Sequence, residues 1–252
     1  MNSDQTDGTI AIRHVLFDAD GVLQSVPGGW FTAMEPYVGE RAQEFLHGAW
    51  KDEKPMLAGQ GDYLPLLAAR LIEFGVPVPA EDVYHDVWHR IEPDGESLAL
   101  VRALRANGYG VHLGTNQDRL RAAHMRVALG YDALFDVSCY SCDLGVAKPD
   151  VGFFAAAAGS IGAVPSSILF IDDTARNVEG ARAAGLAAEQ WELPQGHDVL
   201  VALFARHGVI TEASEPVRLT ALLLHFADFG LGRQPWSRET RLKRGAGERG
   251  VA

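Results

Sequence analysis

Two carboxylates one residue apart, Asp18 and Asp20, end an apolar run in the stretch HVLFDADGVL at residues 14–23. Val15, Leu16 and Phe17 read as a buried strand, and Gly21 follows the second acid. Asp-Gly is a common turn dipeptide, so the pair alone is open to a plain turn reading. In an open parallel sheet, however, ligands bind outside the carboxyl ends of the strands, and two acids there are placed for chemistry or for a metal. Three further apolar runs deliver polar groups at their ends: Thr115 and Asn116, then Lys148, then Asp172 and Asp173. Each could cap a helix or occupy a solvated turn. Independent capping does not explain why two strands end in acids with a lysine between them.

The elements that must position these residues follow from periodicity. After Leu23 the pattern is helical to about residue 91: Phe31, Met34, Val38, Ala42, Phe45, Leu46 and Ala49 recur at helical spacing, with Pro36 expected to break or start a helix. A second helix is expected through Leu64, Leu67, Ala68, Leu71 and Ile72 up to Gly75, and a third through Val83, Val87 and Ile91 after Pro79. Some seventy helical residues exceed a simple crossover and read as an inserted cap. From about residue 94 helix and strand alternate. A helix closes at Asn107-Gly108, the strand YGVHLGTN follows, and a helix with Leu120, Ala123 and Val127 closes at Gly130. Then come a strand around LFDVSCYS, a helix with Val151, Phe154, Ala155, Ala158 and Ile161, the strand SILFIDD, a helix through Val178 and Ala181, the strand AAEQWE and a helix over 198–207. Such alternation is the pattern of an α/β doubly wound parallel sheet.

The expected division is a disordered leader at 1–11, a core of 12–23 plus 92–207, a helical cap at 24–91, an appended apolar, helical segment at 208–230, and a basic disordered tail at 231–252. The 252 residues suffice for a large core, and 47% hydrophobic with 22% charged residues is an ordinary globular balance. No apolar run approaches the roughly 18 residues of a membrane span. The start, MNSDQTDGTI, lacks the basic and apolar regions of a secretory signal, which points to the cytoplasm. The formal charge is −11, and residues 233–249 hold six Arg or Lys against two Glu, a net +4, so the rest carries −15. An acidic body argues against nucleic-acid binding, and an anionic substrate then needs a local cation. Cys139 and Cys142 are too few for a disulfide framework, and on one strand they would face opposite sides.

The order DADGV at 18–22, GTN at 114–116, GVAKPD at 145–150 and FIDDTARN at 170–177 resembles the four motifs of the haloacid dehalogenase superfamily, in the group with a helical cap after the first motif. The resemblance spans residues 12 to about 191. The last two motifs are similar to the branch of sugar-phosphate phosphatases and the phosphatase domain of bifunctional epoxide hydrolases. It implies that Asp18 is the nucleophile forming an aspartyl-phosphate, and that Asp20 protonates the leaving alkoxide and then activates water. Mg²⁺ would be held by Asp18, Asp173 and the Asp20 backbone carbonyl, with Asp172 behind or bound through water; in the family either acid of this pair can serve. Thr115 would bond a phosphoryl oxygen with Asn116 backing it, Lys148 would neutralise charge and hold the carboxylates, and Asn177 would orient a neighbour.

Dehalogenases of this family lack the second acid, which is present here as Asp20. Phosphonate-cleaving relatives use a cap lysine, and the cap offers only Lys51 and Lys54, at an apparently exposed helix end. The expectation is a Mg²⁺-dependent phosphatase acting on a small phosphorylated metabolite, as a monomer or homodimer without nucleic-acid or membrane partners. A phosphomutase on the same core, and a non-catalytic binding or regulatory protein of this fold, stay open. Gly28-Gly29 reads as a hinge or a plain loop, and Trp30, Trp50 and Trp88 as substrate platforms or as core. His85 and His89, four apart, lack a third metal ligand and read better as a solvated face.

Overall fold

The structure, a computed structural model, describes residues 10–212. Most of the expected leader, nearly all of the 208–230 segment and the whole 231–252 tail lie outside the described residues. In chain order the elements begin with β1 (His14–Phe17), β2 (Gln24–Ser25), α1 (Gly29–Val38), α2 (Ala42–Leu57), α3 (Tyr63–Glu73), α4 (Ala80–Val87) and β3 (Glu92–Pro93). There follow α5 (Gly95–Ala106), β4 (Gly110–Thr115), α6 (Arg119–Val127), α7 (Tyr131–Leu134), β5 (Val137–Tyr140), α8 (Ser141–Leu144) and α9 (Val151–Ile161). The chain then forms β6 (Ile168–Asp172), α10 (Ala175–Ala183), β7 (Ala187–Gln190) and α11 (His197–Arg206).

Five strands form one parallel sheet in the order β5-β4-β1-β6-β7, so β1 is central and its carboxyl end lies between those of β4 and β6. Phe17 pairs with Leu113 on one side and Ile171 on the other, which sets Asp18 beside Asp172 and close to Thr115. The strand alternates faces, as a twofold period requires. Val15 and Phe17 pack into a cluster with α5, α6 and α11, and Leu16 into a second with α9 and α10. Both sheet faces are therefore covered, which is why β1 and β6 read as uninterrupted apolar runs. The doubly wound α/β fold expected from the alternation is present.

Helices α1 to α4 lie between β1 and α5 and close around a third apolar cluster that includes Met34, Phe45, Leu67, Val83 and Trp88. A two-stranded antiparallel ribbon, Gln24–Ser25 against Glu92–Pro93, ties the two ends of this insert together. Two-residue strands give no periodicity to detect, and the ribbon was not expected. Gly28 and Gly29, with φ of 75° and 83°, turn the chain from the ribbon into α1. Pro36 stands inside α1 rather than at an end of it.

Two elements depart from the sequence reading more deeply. The apolar residues Leu120, Ala123 and Val127 of α6 lie on its exposed side, and the helix buries Arg121, Ala122 and Met125 instead. The LFDVSCYS region forms α7, a short β5 and α8, so Cys139 sits on a strand and Cys142 on a helix. Both thiols are free and buried, and burial pushes each up to about 11, which leaves them protonated and inert.

Candidate active site

The carboxyl edge of the sheet carries a pocket of about 280 Å³ whose lining includes Asp18, Asp20, Thr115, Asn116, Lys148, Asp173 and Asn177. The residues singled out from the four strand ends thus come together, except that Asp172 lies behind the wall, fully buried. The dull alternatives at Thr115 and Asn116 do not hold, because Asp118 is the N-cap of α6 and accepts from the Leu120 and Arg121 N–H groups.

Lys148 is the hinge of the charge arrangement. Its ammonium lies 2.7 Å from Asp18 Oδ1 and 2.7 Å from Asp172 Oδ2. Asp172 also accepts from the Thr174 N–H at 2.8 Å and the Asn177 amide at 3.0 Å, so its lone pairs are spent inside the protein. The neighbour that Asn177 donates to is Asp172. Asp173 keeps an outward aspect: it accepts from the Thr174 hydroxyl at 3.0 Å and lines the pocket. Asn116 does not back Thr115. It clamps the Lys148 backbone, donating to its carbonyl at 3.0 Å and accepting from its N–H at 2.9 Å. The Thr115 hydroxyl instead accepts from Gln117 Nε2 at 3.0 Å.

One oxygen from each of Asp18, Asp172 and Asp173 lies within 4.8 Å of the others, and the one ammonium there contacts only two of them, Asp18 and Asp172. Burial holds the Asp18 carboxyl well above the ordinary carboxylate range, against Lys148, with Asp172 and Asp173 adding to the rise. Burial and the neighbouring Asp172 push Asp173 up to about 6. An oxygen-only donor set short of positive charge suits a hard divalent cation. Gly21 makes room for this: at φ 79° a Cβ there would stand 2.5 Å from Asp173 Oδ2, so only glycine lets the loop after Asp20 close on the third acid. Gly180 does the same behind the site, where a Cβ would meet the Pro149 carbonyl at 2.2 Å.

Asp20 is held differently. Arg121 engages both of its oxygens, Gln24 donates to Oδ1 at 2.9 Å, and Gln117 to Oδ2 at 2.8 Å. Burial alone would raise this carboxyl, but the Arg121 guanidinium overrides it and holds Asp20 down at about 2. Arg121, Gln117 and Gln24 escaped the sequence reading, as did Arg176 on the pocket lining. The signal for Arg176 was present in the FIDDTARN motif; Arg121 carried none, because the helix face was assigned from its apolar residues.

The insert reaches the same edge. The Tyr84 hydroxyl donates to Asp118 at 2.6 Å, Arg121 Nε donates to the Trp88 carbonyl at 2.8 Å, and Arg119 to the Gly59 carbonyl at 2.9 Å. Trp88 is core, whereas Trp30 and Trp50 are partly buried at a cavity beside Asp20. His85 is exposed and His89 stacks on His124 with ring centroids 4.2 Å apart, so the two form no ligand pair. Lys51 and Lys54 are exposed.

A parallel doubly wound sheet with acids, a lysine and a threonine gathered at its carboxyl edge marks an α/β protein with a polar ligand site where such folds bind. Residues 12–185 match the haloacid dehalogenase-like hydrolase family, and the chain belongs to it. Phosphatase MT3486 of Mycobacterium tuberculosis (strain CDC 1551 / Oshkosh) is 31% identical over 196 residues, which is 71% of this chain and 87% of that protein. Among solved structures, a HAD family enzyme of Bacteroides thetaiotaomicron, bt-2542, in complex with magnesium and inorganic phosphate, superposes with a TM-score of 0.62 at 19% identity, over 75% of this chain and 99% of that one. The L-2-haloacid dehalogenase of Xanthobacter autotrophicus superposes with a TM-score of 0.56 at 19% identity, over 71% of this chain and 77% of that one. At these identities the two structures establish the fold. Among the described residues, no helix is long and apolar enough to cross a membrane.

Proposed function

We propose that this hydrolase is a Mg²⁺-dependent phosphatase that cleaves a small phosphomonoester through an aspartyl-phosphate on Asp18. The observation that carries the reading is Asp20, a second carboxylate sharing the pocket of Asp18. Halide displacement needs no proton donor, whereas an alkoxide leaving group does. The curated relative named as a phosphatase adds support.

Asp18 and Asp173 would hold the metal, with the Asp20 backbone carbonyl; Asp172, saturated by Lys148, Thr174 and Asn177, would stand behind them. When bound, Mg²⁺ would offset the charge of the phosphoryl oxygens and of the crowded acids. Lys148 holds Asp18 toward the pocket and adds positive charge where negative charge develops. Thr115 offers a hydroxyl to a phosphoryl oxygen. Asp20, ionised beside Arg121, is ready as the base that takes a proton from water in the second half-reaction. An incoming phosphate dianion raises its affinity for a proton, which equips it as the acid in the first. The insert at residues 24–91, which holds α1 to α4, acts as a cap that closes on the substrate and excludes water, with the Gly28-Gly29 turn as hinge. The buried free thiols agree with a reducing, cytoplasmic setting.

The test is phosphate release from a panel of small phosphomonoesters by wild type and Asp18→Asn. Mg²⁺-dependent release, abolished by EDTA and by Asp18→Asn, is the expected result. No release from any ester by folded wild type would sink the phosphatase reading and favour a mutase or a binding protein.

A further inference from the structure

A second cavity, of about 160 Å³, opens between the helical insert and the sheet edge, and it shares Asp20 and Asn116 with the phosphate pocket. Its walls include Trp30, Trp50, Trp88 and Arg121 and, besides Asp20, a second carboxylate, Glu53 of α2. Glu53 is only 8% exposed, and among the described residues it has no hydrogen bond and no ion pair. Arg121, which lines the same cavity, makes no ion pair with it. Four of the five Arg121 N–H bonds are spent on Asp20, Gln117 and the Trp88 carbonyl. The Glu53 oxygens are not sealed in the wall but remain accessible, so a donor that enters the cavity can reach them. Burial, with Asp118 and Asp20 nearby, pushes its carboxyl up to about 8, the mark of an acid short of donors.

Asp20 lines both cavities, so an alcohol whose bridging oxygen it protonates can extend from the first into the second. Three tryptophans supply an apolar wall for a short carbon skeleton, and the volume is close to the ~150 Å³ of an engineered cavity that takes benzene, about six non-hydrogen atoms. What such a ligand lacks in an all-apolar pocket, and finds here, is an acceptor not already engaged by the protein. We propose that Glu53 sets the leaving-group specificity by accepting a hydrogen bond from a hydroxyl or ammonium group carried on a short phosphorylated alcohol. This rests on the phosphatase reading and adds to it the chemistry that the substrate must carry.

The experiment compares kcat/KM for glycerol 1-phosphate, ethanolamine phosphate and n-propyl phosphate, with Mg²⁺, for wild type, Glu53→Leu and Glu53→Gln. At pH 9, where Glu53 is ionised, wild type is expected to favour a donor-bearing ester over n-propyl phosphate on the order of 10- to 100-fold, the usual worth of one hydrogen bond to a charged group. Whether glycerol or ethanolamine phosphate leads tells a hydroxyl from an ammonium. In Glu53→Leu the ratio should fall to within about twofold, mainly through KM. Glu53→Gln, close in shape, should lose an ammonium preference fully and a hydroxyl preference in part; it serves alone if the leucine variant fails to fold by circular dichroism. An unchanged ratio in a folded variant, or turnover by wild type without discrimination, overturns this inference alone. Absence of turnover by wild type on these esters and on p-nitrophenyl phosphate overturns it together with the phosphatase reading.

Discussion

Arg121 grips Asp20 through both terminal nitrogens, with Nη2 2.8 Å from Oδ1 and Nη1 on Oδ2, while its Nε reaches the Trp88 carbonyl at 2.8 Å. One buried cation therefore ties the second acid of the site to the helical insert. Replacing it by Met should destabilise the protein by about 3 kcal/mol, the low end of the range for breaking a buried pair, because the Asp20 side chain keeps 33% of its exposure. Urea denaturation measures this. Part of the loss is the stranded Asp20 charge, so the double variant Arg121→Met, Asp20→Asn should be less destabilised than the two single losses sum to. Strict additivity would mean that the pair does not interact.

Lys148 joins two carboxylates that no other side-chain cation contacts among the described residues. Lys148→Met should reduce phosphate release by on the order of 10²- to 10³-fold, the range seen when one preorganised charge stabiliser is lost. It should also lower the melting temperature, since Asp18 and Asp172 are then buried side by side without a counter-charge. Retention of near-normal turnover in a folded Lys148→Met protein would remove Lys148 from the chemistry.

The role given to Asp20 can be separated from mere positioning by the leaving group. Asp20→Asn should cut hydrolysis of an alkyl phosphate by roughly 10²- to 10⁴-fold, the usual worth of general acid catalysis. A nitrophenolate departs without a proton, so formation of the aspartyl-phosphate from p-nitrophenyl phosphate should suffer much less. Single-turnover measurements on the two esters read the difference. Equal losses on both would show that Asp20 only shapes the pocket.

How much of this was legible in the sequence depended on where each residue sits. Asp18, Thr115, Asp172 and Asp173 end apolar strands, so their polarity stands out against the run before them. Lys148 was singled out as the polar group after the next apolar run, although α8 separates it from β5, and Asn177 was carried by motif order. Arg121 and Glu53 lie inside helices among other charges, RLRAAHMRV and KDEKP, and a charged residue on a helix reads as solvated by default. Periodicity then misassigned the α6 face, since it counts apolar residues. Here the helix turns its arginine inward toward a carboxylate and leaves Val127 86% exposed. The β2–β3 ribbon was hidden for another reason: register between segments 67 residues apart is a tertiary fact, and two-residue strands carry no alternation.

His112 on β4 sets an expectation about acid that is independent of the catalytic residues. It is buried on the sheet, with its Nε2 3.1 Å from His14 Nδ1 at the opposite end of β1 from Asp18. Burial, with His14 beside it, pulls its pKa from 6.5 down to about 4, while Asp136 acts weakly the other way. The folded ring therefore stays neutral where the unfolded ring takes up a proton. Between pH 6.5 and about 4 the unfolded state binds more protons, so stability falls as the pH falls through that window. At about 1.4 kcal/mol per unit the loss approaches roughly 3 kcal/mol by pH 4. His112→Gln keeps a polar side chain without the titration and should flatten this limb of a melting-temperature profile taken from pH 7 to pH 4. An equally steep fall in the variant would assign the acid sensitivity to other groups.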